Sequence, residues 1–327
     1  MEFQFLGTSS GTPSKTRNVS GLALRGPGGG WSLVDCGEGT QHRILHTTLS
    51  LHDLRAVFVT HMHGDHCYGL PGLLASAGML NRTAPLALVG PPPLRTFLEG
   101  VMATSELGLP YPLDFIAIDD LAATPILPDL AVDAIALSHR MPSWAYRFTE
   151  RAVERKLDAA RLRAAGIAPG PAWGELQQGN DAVLDDGRVL RATDWLLAPR
   201  KARTIIVGGD NDTPDLLFEA ARTAEVLIHE ATYTEEVLLK VGPAPMHSSA
   251  LRVARMAARA GLRNLVLTHF SPRYQDGEGP LSMGALEAEA RGVYGGQLFM
   301  ARDLDSYSLS RDGELGRVGT TCPRGDR

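Results

Sequence analysis

The sequence predicts a mixed α/β protein whose strands run to one shared edge of a layered sheet. Three observations predict it. Short apolar runs of strand length alternate with helix-length segments along most of the chain. Strand after strand is followed by a residue able to bind a metal: Val59 by His61, Leu137 by His139, Val207 by Asp210 and Leu267 by His269. Finally, 327 residues with 44% hydrophobic and 21% charged content can bury a sizeable core and are ordinary for a globular protein.

The N-terminal third reads as strands at residues 3–6, 21–24 and 31–34, separated by Gly, Pro and Asn, with Arg25-Gly26-Pro27-Gly28-Gly29-Gly30 as a hairpin tip. Val57-Phe58-Val59 is a buried strand. Helices are expected over 70–80 and 94–107, and strands at 86–89, 113–118 and 132–137. A charged helix is expected over 153–165, followed by Pro169-Gly170-Pro171. The stretch 150–178 breaks the strand–helix rhythm and reads as an inserted, flexible arm in an otherwise single domain of 1–327. Strands at 204–207, 226–228 and 265–267 alternate with helices at 216–222 and 250–260, the latter with Ser248 as candidate cap. A last helix and strand follow, and the polar tail from Gly313 is expected to be loose.

Composition excludes several classes. No apolar run approaches the roughly 20 residues needed to span a bilayer. The N-terminus has neither the basic region nor the apolar region of a signal peptide. Three cysteines (Cys36, Cys67, Cys322) make no disulfide framework, which predicts a reduced, cytoplasmic protein. Cys67 reads as a small core residue. The net charge of −5 argues mildly against nucleic acid. Locally the balance reverses: from Arg140 to Arg163 there are seven basic residues and three acidic ones. Such a segment is a solvated helix face or an RNA contact.

The chemistry sits in Thr60-His61-Met62-His63-Gly64-Asp65-His66. Imidazole and carboxylate suit zinc and its neighbours. His61 and His63, two apart on an extended loop, can chelate one metal; Asp65 and His66, after a glycine, can turn to a second. His139 and His269 would complete the two sets, one each, and Asp210 could bridge them. Such a pair of metals would activate a water for hydrolysis. His42, His46 and His52 read as surface or supporting residues.

The T-H-x-H-x-D-H block resembles the metallo-β-lactamase fold, and the chain more specifically resembles the ribonuclease Z family of tRNA 3′-processing endonucleases. The likeness runs over nearly the whole length. It is carried by Phe5-Leu6-Gly7-Thr8 with Pro13 to Asn18, Asp35-Cys36-Gly37-Glu38-Gly39-Thr40-Gln41, and His61 to His66 with Pro71-Gly72-Leu73-Leu74. It continues in Ala145-Tyr146-Arg147-Phe148, Gly170-Pro171 with Gly174-Glu175-Leu176, His229-Glu230-Ala231-Thr232, His247-Ser248 and His269 to Tyr274. Many proteins of the fold share the first ligand cluster; the combination is specific. The departures are Gly209-Asp210-Asn211, where the family usually has Thr or Ser third, and a short arm with Gln177-Gln178 where a Lys is common.

The resemblance implies a four-layer αββα sandwich with a small protruding arm, and two Zn²⁺ per subunit held by His61, His63, Asp65, His66, His139, Asp210 and His269. Manganese or iron would suit the same ligands. It implies cleavage of precursor tRNA just 3′ of the discriminator nucleotide, leaving a tRNA 3′-hydroxyl and a 5′-phosphate on the trailer. Asp65 is then the candidate general base, and His247, oriented by Glu230, the candidate general acid. His229 is expected to be structural. Lys15, Arg17 and Arg273 are candidate phosphate contacts, and the arm with Gly170 and Pro171 would clamp the tRNA elbow. A homodimer is implied, with no membrane and no protein partner required. Two other readings fit the ligands: a small-molecule hydrolase of the same fold (arylsulfatase, lactonase or phosphodiesterase), which has no use for a basic arm, and a non-catalytic RNA-binding subunit, which has no use for a full ligand set.

Overall fold

Strands covered on both faces need unbroken apolar runs, and the runs of this sequence become two such sheets. The computed structural model describes residues 1–319 apart from positions 152 and 154. The chain forms two compact units, Met1–Thr149 with the segment from Arg203 onward, and Glu150–Ala202.

The first unit holds most of the strands. They are β1 (Glu2–Gly7), β2 (Gly21–Arg25), β3 (Trp31–Cys36), β4 (Leu54–Phe58), β5 (Leu86–Gly90), β6 (Leu113–Ala117), β7 (Leu130–Leu137) and β8 (Ser143–Glu150). After β9 (Ala182–Val183) and β10 (Val189–Leu190) come β11 (Thr204–Val207), β12 (Val226–Glu230), β13 (Asn264–Thr268), β14 (Gln297–Met300), β15 (Ser306–Leu309) and β16 (Leu315–Val318). One sheet has the order β16-β15-β1-β2-β3-β4-β5-β6 and the other β14-β13-β12-β11-β8-β7.

Side-chain alternation sets the layers. Phe58 of β4, Phe148 of β8, and Ile228 and Val266 of β12 and β13 meet in the core between the sheets. Their neighbours Val57, Leu227 and Leu265 point outward. The outward face of the first sheet is covered by α1 (Thr40–Ile44), α3 (Leu70–Met79) and α4 (Pro93–Thr104), with the one-turn α2 (Gly64–Cys67) at the strand edge. Helix–sheet–sheet–helix layering follows, as the resemblance implied.

The second unit has its own small core of Leu162, Ile167, Leu176, Ala182, Leu190 and Ala192. It is built from α5 (Ala159–Ala164), α6 (Pro171–Gln178), the β9–β10 hairpin and α7 (Ala192–Trp195). The remaining helices belong to the first unit: α8 (Phe218–Ala221), α9 (Glu235–Val241), α10 (Ala250–Ala260) and α11 (Met283–Arg291). The last two pack with α8 and α9 on the outer face of the second sheet.

Several expectations need correction. The inserted unit does not stop at 178, because the β9–β10 hairpin and α7 supply half of its core. The helix expected over 153–165 starts only at Ala159, where the Asp158 carboxylate caps it by accepting from Arg161 N–H. Before that, Leu157 forms an isolated antiparallel bridge with Leu196, so the backbone is extended. The tail from Gly313 is not loose throughout, since Leu315–Val318 pairs with β15. The end of the tail and Cys322 lie outside the described residues. Strand β8 was not anticipated; its alternating Ser143-Trp144-Ala145-Tyr146 follows a proline. Among the described residues no helix is long and apolar enough to cross a membrane.

Candidate metal centre

The strand ends place the site. Past β4 the chain stays extended through Thr60, whose N–H donates to Asp35 Oδ1 at 2.8 Å. It then turns into α2, which carries Asp65 and His66. Two glycines permit the close approach. A Cβ on Gly37 would lie 2.3 Å from the Asp65 carbonyl oxygen, and one on Gly209 would lie 2.7 Å from Thr60 Cβ. His139 follows β7, Asp210 follows β11 and His269 follows β13.

The structure brings all seven expected ligands together in two donor sets. In the first, His61 Nε2 is 3.1 Å from His63 Nδ1, which is 3.0 Å from His139 Nε2. Asp210 Oδ2 stands 3.6 Å from His61 and 3.7 Å from His139. In the second, His66 Nε2 and His269 Nε2 are 3.3 Å apart, and Asp65 Oδ2 is 3.5 and 3.4 Å from them. The other Asp210 oxygen, Oδ1, faces this set at 3.5 and 3.3 Å.

Neighbouring hydrogen bonds decide the tautomers. Thr60 Oγ1 donates to Asp35 Oδ2 at 2.9 Å, so it accepts from His61 Nδ1 at 3.0 Å. His66 Nδ1 donates to Asp35 Oδ2 at 2.7 Å, and His139 Nδ1 to the Met246 carbonyl at 2.8 Å. Thr232 Oγ1 donates to Glu230 Oε2 at 2.5 Å and accepts from His269 Nδ1 at 3.2 Å. In its neutral form each of these rings therefore presents an Nε2 lone pair to the others. Lone pairs do not bond to one another; they converge on a cation. A tetrahedral Zn²⁺ with ligands near 2.0–2.1 Å spaces them about 3.3–3.4 Å apart, and the measured spacings of 3.0–3.7 Å bracket that value. The donor set fits a pair of such metals.

Backbone strain collects here. Asp35 (φ 59°), Met246 (φ 54°) and His269 (φ 56°) are non-glycine residues in the left-handed region. Such conformations cost of order 1–3 kcal/mol each and persist where the surroundings impose them.

Electrostatics separates the sets. Burial, with the neighbouring imidazoles, holds His61 well below the usual histidine range, and burial with His139 lowers His63 to about 4. Burial also lowers His139. These rings are neutral and ready to ligate at pH 7. For His66 burial works the other way from the carboxylates of Asp210, Asp65 and Asp35, and the carboxylates win, raising it well above the usual value. Burial likewise opposes charge on Asp65, yet His66 and His269 hold it well below the usual carboxylate range.

Beside the donor sets, His247 Nδ1 donates to Glu230 Oε1 at 3.0 Å. Burial disfavours the charged ring, but Glu230 outweighs it and pushes His247 up to about 9. Glu230 is buried, and His247 keeps it below the usual carboxylate range despite that burial. A cleft of about 290 Å³ opens at this point, lined by Asp65, His247, Arg140 and Tyr68 among others.

The other expected site residues divide. Lys15 and Arg273 are exposed, Arg273 lying 5.8 Å over the Tyr233 ring, which in turn meets His247 edge-on. Arg17 needs correction as a phosphate contact: its Nη1 donates to Thr8 Oγ1 at 2.7 Å and the Ala301 carbonyl at 2.8 Å, and it stacks 5.0 Å over Phe270. It braces its loop. Gly170 and Pro171 are exposed at the start of α6. His229 is buried, with Nδ1 donating to the Glu230 carbonyl. His42, His46 and His52 are exposed and join no donor set. Burial pushes the Cys67 thiol up to about 12, so it sits as an inert core residue.

Sequence reasoning missed the supporting positions of Asp35 and Thr232, and it named Asn211 only as a departure from the family and Arg140 only as one end of a basic segment. Asp35 had a signal, since it sits at the end of β3 and the rule of ligands at strand ends applies to it. Thr232 and Asn211 act through hydrogen bonds that spacing does not encode.

The protein family described as Anti-Pycsar protein Apyc1 matches residues 1–106, which include the His61–His66 block but not His139, Asp210 or His269. The chain is 55% identical over 328 residues to Ribonuclease Z of Marinobacter nauticus, covering 97% of this chain and 99% of that protein. It is 52% identical to Ribonuclease Z of Pseudomonas putida strain W619, with 97% and 99% covered. Among solved structures it resembles human tRNase Z, short form (TM-score 0.65, 24% identity, 95% of this chain and 100% of that one). It also resembles the metallo-β-lactamase fold protein YhfI from Bacillus subtilis (TM-score 0.63, 19% identity, 93% and 98%). The structural likenesses carry the fold.

Proposed function

The chain belongs to the ribonuclease Z family, and on that premise we propose how its cleft cuts precursor tRNA. It is a tRNA 3′-processing endoribonuclease. The small-molecule hydrolase and the non-catalytic subunit drop out. The reaction is hydrolysis of one phosphodiester 3′ of the discriminator nucleotide, giving a tRNA 3′-hydroxyl and a trailer 5′-phosphate.

The observation that carries the mechanism is the pair of converging donor sets split across the two oxygens of Asp210. His61, His63, His139 and Asp210 would hold one cation; Asp65, His66, His269 and Asp210 the other, with Zn²⁺ the best match to the tetrahedral spacing. Two such cations would supply an activated water at neutral pH and positive charge against the scissile phosphate. Asp65 accepts the proton of the attacking water. Its Oδ2 is held by the Gly11 N–H at 2.8 Å, which keeps the carboxylate aimed into the cleft. His247 keeps a proton at neutral pH and gives it to the departing 3′-oxygen, while Glu230 on Nδ1 leaves the other ring nitrogen to make that transfer.

Arg140, exposed in the cleft next to ligand His139, and Arg273, over Tyr233, lie on the His247 side. They meet the phosphates on the tRNA side of the cut. Lys15 serves the same electrostatic role from its exposed loop. The Glu150–Ala202 unit, with the exposed Gly170-Pro171 corner, grips tRNA by shape and backbone. Gln177 stiffens that unit: its Nε2 donates to the Arg155 carbonyl at 2.6 Å. The working form is a cytoplasmic homodimer, supported by the exposed apolar side chains of Leu45, Met79 and Leu80 at the C-terminal ends of α1 and α3.

The test maps the 3′ end made from one precursor tRNA, with and without an encoded CCA, by wild type and Asp65→Ala. A single cut after the discriminator, lost in the variant, is expected. Scattered cuts, or cleavage surviving in the variant, would refute the reading.

A further inference from the structure

Asn211 follows Asp210 and is fully buried. Each of its polar groups is engaged. Its backbone N–H donates to Glu230 Oε1 at 2.9 Å, the oxygen that also accepts from His247. Its carbonyl accepts from Ser248 Oγ at 2.5 Å. Its side-chain Oδ1 accepts from Ser138 N–H at 3.3 Å and Thr213 N–H at 3.2 Å. Its Nδ2 donates to His229 Nε2 at 3.1 Å. Because His229 Nδ1 already donates to the Glu230 carbonyl, Nε2 carries a lone pair, and only the amide nitrogen can face it.

These partners lie on different loops. Ser138 precedes ligand His139, Glu230 ends β12, Ser248 follows His247, and Asn211 itself is bonded to Asp210. We propose that Asn211 is a positioning residue that holds the four loops in register. It thereby aims Asp210 with one oxygen at each donor set and keeps His247 against Glu230. It touches neither substrate nor metal. A primary amide suits the place because it offers a donor to His229 and an acceptor to Ser138 at once; a carboxylate of the same size lacks the donor, and alanine lacks both.

The proposal rests on the two-cation reading above, and its test separates the two. Holoenzyme of wild type, Asn211→Ala, Asn211→Asp and Asn264→Ala is exposed to a chelator series, and retained metal, urea midpoint and kcat are measured. Asn264 is a fair control: it is equally buried at the start of β13, where its Nδ2 donates to the Glu225 carbonyl at 2.6 Å and the Gly313 carbonyl at 3.1 Å. Both Asn211 variants are expected to lose metal at about tenfold to hundredfold lower chelator and to lose kcat by a similar factor. Asn264→Ala is expected to shift the urea midpoint and retain metal like wild type. Asn211→Asp, nearly isosteric, gives the reading where Asn211→Ala does not fold. Asn211 variants that hold metal as tightly as wild type, or lose it no more readily than an equally destabilised Asn264→Ala, would overturn the proposal. A wild-type protein that binds no metal would overturn the two-cation reading and this one with it.

Discussion

The metal-ready centre and the Glu150–Ala202 unit are built in opposite ways. The centre draws its residues from strand ends scattered between Asp35 and His269, buries most of them and fixes the rings of His61, His66, His139 and His269 by a hydrogen bond on the far nitrogen. The inserted unit is one continuous stretch around a core of six buried residues. It carries nine basic and eight acidic residues, whereas the rest of the chain carries 23 basic and 29 acidic. Chemistry here demands a few atoms held to tenths of an ångström; grip on a polyanion demands many contacts and tolerates slack. We propose that the two regions divide the work accordingly.

The largest expected effects come from breaking the centre. Asp65→Ala removes a proposed ligand and the proposed base together and should lower kcat by at least about a thousandfold, with little change in tRNA binding measured by gel shift. Metal retention should also depend on pH. Below its raised pKa His66 holds a proton that a cation must displace, so the affinity measured by chelator competition should weaken as pH falls.

His247→Asn should cost about a hundredfold or more in kcat. His247 is pushed up to about 9 in the protein without metal, and neighbouring cations can only lower that value. Its proton is present below the pKa and lost above it. The wild-type kcat should therefore fall on the alkaline side at or below about pH 9, and the variant should lack that limb in a pH–rate profile.

Asp35→Asn probes the support beneath the ligands. Asp35 carries Thr60 and His66 together, and the variant should lose about tenfold to hundredfold in metal affinity while the fold persists. The smallest effects should distinguish brace from contact. Arg17→Ala should reduce stability by about 1–2 kcal/mol in urea unfolding, whereas Lys15→Ala should leave stability unchanged, raise KM and flatten its salt dependence.

The same contrast explains how far the sequence could be read. The first four proposed ligands stand within six residues, and the rule that strands end in such residues reached His139, Asp210 and His269, which the structure brings beside them. These are local patterns with a fixed geometric meaning, and the layer order follows from which residues alternate along each strand. What stayed hidden was relational. Nothing in the spacing says that Asp35 bonds His66 or that Arg17 turns inward to Ala301, because those partners are separated by tens to hundreds of positions. The inserted unit was visible at its start, where the rhythm breaks, but not at its end. Its closing hairpin is two residues a side, too short for a period to register.

The most direct test of the division removes residues 151–201, closes the gap with a short Gly/Ser linker, and compares cleavage of precursor tRNA with cleavage of bis(p-nitrophenyl) phosphate. The account predicts a KM for precursor tRNA raised about tenfold or more, with the small phosphodiester hydrolysed as by wild type. Precursor-tRNA cleavage left undamaged, or both substrates losing equally, would contradict it.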